Sequence, residues 1–177
     1  MPSSWYTPLD KFKPTLREIA LFGILGALTF GAKIAMSFLP NIEPVSLLVM
    51  LYAVGFGKKA VYPIYLYVLL EILVYGLGTW NIMYLYIWLI LAIAAWLLRN
   101  VHSRLSWAIL SGTYGLLFGA LCAPVDVAIG GFGYAVTKWI SGIPFDIAHC
   151  VGNFAIALAL FLPLRQLLEK LYQKLQQ

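Results

Sequence analysis

Asp146, His149, Cys150 and Asn153 are spaced three, four and seven residues apart, which puts them on one face of an α-helix. A carboxylate, an imidazole and an amide on a common face can hold charge and exchange hydrogen bonds in both directions. That is the chemistry of binding a polar ligand. Each has a plainer use as well. Asp146 follows Pro144 at a helix start, where an acid caps the positive end of the dipole. His149 could be a hydrogen-bonded packing residue.

A second set places charge inside apolar stretches: Lys33, Glu43 and Glu71, joined by Trp80, Asn81 and Tyr84. An ionisable group inside a bilayer costs about 2.5–3.5 kcal/mol on insertion scales, so it faces a cavity or a partner. Pairing of Lys33 with Glu43 or Glu71 would hold helices together; a shared pocket would bind something. Tyr75, Trp80, Tyr84, Phe132, Tyr134 and Trp139 add flat rings, which can stack on a planar ligand or form an interfacial belt.

Other chemistries are missing from the pattern. Gly55-Phe-Gly57-Lys58-Lys59 lacks the spacing of a phosphate loop, and Gly130-Gly131-Phe132-Gly133 is not a dinucleotide fingerprint. No H-E-x-x-H or G-x-S-x-G occurs, and no nucleophile accompanies Asp146 and His149. Cys122 and Cys150 allow one bridge at most and have no metal-binding spacing; buried free thiols are expected. The chain is therefore expected to have no catalytic residues, no metal and no cofactor.

The elements that must position these residues follow from composition. Of 177 residues, 62% are hydrophobic and 11% charged, too few polar groups to coat a water-soluble globule. The net charge of +5 collects at segment ends, not on a face that could track nucleic acid. This excludes a soluble enzyme, a nucleic-acid module and a disordered chain. It predicts an all-α integral membrane protein forming one domain.

A bilayer crossing needs about 20 apolar residues. Six stretches qualify: 19–39, 42–57, 60–77, 82–98, 105–125 and 145–164. Pro40-Asn41 marks a turn, 126–142 reads as a glycine-rich outer lid, and 165–177 as a polar helical tail. The polar first fifteen residues carry no cleavable leader pattern. Lys11, Lys13, Arg17, Lys58, Lys59, Arg99, Arg104, Arg165, Lys170 and Lys174 share one side, against Lys138 alone on the other. The positive-inside rule then makes both termini cytoplasmic. Lys33 and Glu71 each fall about 9 Å below the outer end of their helices. The embedded ionisable groups thus gather in the outer half, and the inner half is expected to be nearly pure hydrocarbon.

Small residues repeat every fourth position in two helices: Gly23, Ala27, Gly31, Ala35, and Ser111, Gly115, Gly119, Ala123. Such stripes let helices approach closely, either within the bundle or against another membrane subunit. The first is the better candidate for a docking surface.

Residues 40–52 (PNIEPVSLLVMLY) and 142–154 (GIPFDIAHCVGNF) resemble the substrate-binding S components of energy-coupling factor (ECF) transporters, and the likeness extends over about residues 16–168. The resemblance implies a six-helix subunit of a bacterial cytoplasmic membrane that captures a vitamin or related micronutrient at the outer face. It would deliver this cargo with a transmembrane T component and two ATPases. It also implies that Trp80, Asn81, Asp146, His149 and Asn153 face the substrate. The family's Ala-x-x-x-Ala docking pattern would be met by Ala27-x-x-x-Gly31 within the Gly23–Ala35 stripe. The rival readings are a homo-oligomeric channel or facilitator, opposed by the apolar inner half, and a membrane-embedded acid–base enzyme. Cobalamin, a deazapurine such as queuosine and a smaller vitamin are all compatible with the site.

Overall fold

The computed structural model describes residues 13–39 and 41–176 and contains no strand among them. Helix α1 spans Leu16–Ala35, α2 Val45–Phe56, α3 Val61–Tyr75, α4 Thr79–Leu97, α5 Arg104–Leu116 and α6 Phe118–Gln176. A 3₁₀ turn, Gly57–Ala60, joins α2 to α3.

Capping sets the ends of these helices more than hydropathy does. Thr15 and Glu18 form a reciprocal capping box, so α1 starts before the apolar run at Ile19 and stops at Ala35. The Asn81 side-chain oxygen accepts from the Gly78 amide at 2.7 Å and starts α4 three residues earlier than Ile82. The Ser103 hydroxyl accepts from the Ser106 amide and starts α5. Asn41 has a positive φ of 57°, which suits a tight turn; its neighbour Pro40 lies outside the described residues, as does Lys11.

Four stretches are long and apolar enough to cross a membrane: Leu16–Ala35, Val45–Tyr75, Thr79–Leu97 and Arg104–Leu175. Two of them fold back on themselves. Val45–Tyr75 reverses at the 3₁₀ corner, where Gly57 takes a φ of 55°. Glu43 before it and Tyr75 at its end line one cleft, while Lys59 at the corner reaches the start of α1. In the second, nested contacts converge on Gly131. Asn153 meets Ser111, a side chain on Gly115 would touch His149, Asp146 meets Gly119, and Lys138 meets Asp126. Gly131 has non-helical angles (φ 79°, ψ 176°), so α6 is two helices, 118–130 and 132–176, that pair across that break. The segment 126–142, expected to be a lid, is the helical tip of this hairpin.

Helix α2 is the centre of the molecule. Every one of its residues except Leu48 is buried, as expected of a helix apolar all round. It packs on α4 and α6, with α1 alongside, while α3 packs on α1 and α4. Trp107 of α5 stacks on Phe161 of α6 with centroids 4.1 Å apart. The outer surface is apolar: Ile24 and Leu28 of α1, Leu73 of α3 and Ile93 of α4 are all exposed. A coat of this kind fits hydrocarbon, not water.

One expectation needs correcting. The half of the bundle at the 3₁₀ corner, expected to be nearly pure hydrocarbon, holds a buried ion pair. Glu18 and Lys59 are both buried there, with Lys59 Nζ donating to Oε1 at 2.7 Å and Oε2 at 2.8 Å. The Tyr172 hydroxyl and the Thr15 amide also donate to the Glu18 carboxylate. Lys59 is therefore not a free loop charge; Lys58 beside it is exposed. Burial is tolerated because every charge has a counter-charge and hydrogen bonds.

Candidate functional site

The end of the bundle opposite this pair carries Lys33. Its ammonium donates to Glu71 Oε2 at 2.8 Å and to the Tyr84 hydroxyl at 3.4 Å. It also lies 5.3 Å from the Tyr84 ring centroid and 5.9 Å from that of Tyr67, within cation–π range. Three helices therefore meet on one side chain: α1 through Lys33, α3 through Tyr67 and Glu71, α4 through Tyr84. The placement follows from helical spacing, since Tyr67 and Glu71 are four apart on α3, as are Tyr84 and Trp88 on α4.

Two clefts open beside Lys33. One, about 210 Å³, is lined by Lys33, Met36, Ser37, Asn41, Glu43 and Tyr75, among others. The second, about 400 Å³ and wider, is lined by Lys33, Tyr75, Trp80 and Tyr84. Lys33 and Tyr75 are shared by both. Glu71 is 1% exposed and sits behind Lys33; its second oxygen, Oε1, has no hydrogen-bond partner. Asn81 is buried as the α4 cap, and its Nδ2 is likewise unpartnered. Buried polar atoms without partners are uncommon, and here four, counting the Tyr67 hydroxyl and Trp88 Nε1, occur on or within one turn of the Lys33 cluster's residues.

The residues of α6 do something different in this structure. Asp146 accepts from the Gly119 amide at 3.1 Å and 3.3 Å and so ties helix 132–176 to the start of helix 118–130. Asn153 Nδ2 donates to the Ser46 hydroxyl at 3.0 Å and to the Ser111 carbonyl at 3.3 Å, linking α6 to α2 and α5. His149 packs edge-to-face on Phe118 with centroids 4.9 Å apart, and its Nε2 has no partner. All three are buried and share one face, which meets α2, α5 and the start of helix 118–130. The two clusters are joined through rings: Tyr84 to Trp88 at 5.3 Å, Trp88 to Phe118 at 6.0 Å, and Phe118 to His149.

Sequence reading missed Tyr67 and Trp88, although their i, i+4 relation to Glu71 and Tyr84 was available. Of the partners of Asn153, Ser111 was visible only as a member of a small-residue stripe, and Ser46 carried no local signal.

The two small-residue stripes face differently. A Cβ on Gly115 of α5 would come within 2.8 Å of the His149 backbone, and one on Gly119 of helix 118–130 within 2.6 Å of Asp146, so this stripe is used up by helix 132–176. On α1, a Cβ on Gly23 or Gly31 would meet nothing within 4 Å, and Ala27 and Ala35 are exposed. Gly26, on another face, is the glycine that packs on Leu66 of α3.

Cys122 and Cys150 are half-buried and unbonded. Among the described residues no group of three His, Cys, Asp or Glu could hold a metal ion. No family model, no curated protein and no solved structure matches the chain.

Proposed function

We propose that the chain is the substrate-binding membrane subunit of an ECF-type importer, capturing a vitamin-like micronutrient at the outer face of a bacterial cytoplasmic membrane. In this reading it crosses the bilayer six times with both termini cytoplasmic. The back-folding of Val45–Tyr75 and Arg104–Leu175 supports six crossings, because each of these two stretches supplies two antiparallel limbs. The clefts at Lys33 then open outward, and the Glu18–Lys59 pair seals the cytoplasmic end. Cargo would leave only with a T component and two ATPases, since the chain has no phosphate loop of its own.

The observation that carries this reading is the uncovered stripe Gly23, Ala27, Gly31 and Ala35. Gly and Ala on a lipid-facing helix contribute little to lipid contact, but they let another helix approach closely. The stripe that begins at Ser111, by contrast, already has its partner in helix 132–176. Affinity isolation of the tagged chain from detergent-solubilised native membranes tests the idea. A transmembrane partner and ATPases should co-isolate with the wild type and be lost in Ala27→Leu/Gly31→Leu. They should be retained in Ile24→Leu. Isolation of the wild-type chain alone, or partners indifferent to the double substitution, would overturn it.

A further inference from the structure

Lys33 sits among groups that suit recognition of a positive charge. Its ammonium has a carboxylate at 2.8 Å and two tyrosine faces within 6 Å, the surroundings that proteins build for organic cations. The local charges do not balance. Among the described residues the clefts are lined by one ammonium, Lys33, and one carboxylate, Glu43, and a second carboxylate, Glu71, lies buried behind Lys33. Glu71 Oε1, on a side chain that is 1% exposed, still has a hydrogen bond to accept. Tyr75 and Trp80 wall the approach, with Trp80 43% exposed at the rim.

Lysine carries its charge on a flexible four-carbon stem, and the Lys33 side chain is 23% exposed. It can therefore leave Glu71 without unfolding the helix that bears it. Glu43, on the shared cleft, is the second acid available to it.

We propose that the clefts take a small organic cation — an amine, an amidinium or a quaternised ring nitrogen — whose charge replaces the Lys33 ammonium between Glu71, Tyr84 and Tyr67 while Lys33 turns to Glu43. Lys33 is then a built-in stand-in for the ligand. The exchange keeps a cation beside the buried Glu71 carboxylate throughout, and the bound state holds two cations against two acids. Leaving a buried carboxylate unpaired is the costly alternative, and this arrangement avoids it. This inference deepens the capture reading and rests on it for the outward opening of the clefts.

Calorimetric titration of the full chain in neutral detergent with benzyltrimethylammonium, benzyl alcohol and benzoate tests it, because the three share a ring and differ in charge. The cation should bind saturably and about tenfold tighter than benzoate, the worth of one desolvated cation–π contact. Glu43→Gln should weaken the cation about tenfold, the measure of one charge partner near a protein surface. Lys33→Met should tighten it several-fold by removing the internal competitor, whereas a purely structural clasp predicts weakening. Thermal denaturation of each variant confirms folding, and the Glu43→Gln result decides the matter if Lys33→Met does not fold. Tighter binding of benzoate that depends on Lys33 would overturn the cation assignment and leave an outer-face site in place. Absence of saturable binding, or binding that ignores charge and both substitutions, would overturn the site itself. The capture reading is judged separately by isolation of the partner subunits.

Discussion

The backbone of Gly115 lies so close to that of His149 that a single methyl group on Gly115 would come within 2.8 Å of the His149 carbonyl carbon and oxygen. The contact is backbone against backbone, so no rotamer change can relieve it. Gly115→Ala should therefore destabilise the hairpin by about 1–3 kcal/mol, the usual cost of overpacking. Gly31→Ala, where a Cβ meets open space, should change stability little. Thermal denaturation in detergent distinguishes the two. Equal stability of both variants would mean that helices α5 and α6 are not packed as described.

The buried pair Glu18–Lys59 sets a second expectation. Removing one partner, as in Lys59→Met, leaves an uncompensated buried charge and should cost about 3–5 kcal/mol. Removing both, as in Glu18→Leu/Lys59→Met, should recover much of that loss. A double-mutant cycle with no coupling between the positions would show that they do not interact.

Trp80 and Asn153 should fail in opposite ways. Trp80 is partly exposed at the cleft, so Trp80→Ala should weaken binding of benzyltrimethylammonium by about 0.5–2 kcal/mol, the range for a stacked or cation-bearing aromatic contact, with stability preserved. Asn153→Ala removes two interhelical hydrogen bonds and strands Ser46, which should cost about 1–3 kcal/mol of stability. Calorimetry and denaturation on both variants check this. Loss of affinity with full stability in Asn153→Ala would return that residue to the ligand.

Topology can be probed at Lys58, which is exposed at the corner beside the buried Lys59. In a background lacking Cys122 and Cys150, a cysteine at position 58 should resist an impermeant thiol reagent applied to intact cells. It should react once the membrane is opened. Labelling from outside would reverse the orientation.

Helical character and the apolar coat were legible because both are summed over many residues. Helix ends were less so: hydropathy rises at Ile19, but α1 begins where the Thr15–Glu18 capping box begins it. The meeting of Lys33 with Glu71 could be anticipated from their equal depth. The Glu18–Lys59 pair could not, because Lys59 reads as a loop charge until Gly57 turns the chain and brings it under α1. Asp146, His149 and Asn153 do share a face, as their spacing requires. Which neighbours that face meets depends on Ser46, Ser111 and Gly119, contributed by three distant segments, and spacing within one helix carries no information about them.

The hydrogen bond from Tyr172 to Glu18 closes the fold across 154 positions. During synthesis at about 5–20 residues per second, Lys59 follows Glu18 by about 2–8 s and Tyr172 by about 8–30 s. For most of the time the chain is being made, the Glu18 carboxylate has the lysine but not the phenol. Helix α1 is therefore anchored in two stages, first when the 3₁₀ corner forms and finally when the end of α6 arrives beneath it. A ribosome that stops short of Tyr172 releases a bundle whose first helix is held by one partner fewer. Defects in the last turns of α6 should thus appear as faulty assembly at the opposite end of the sequence.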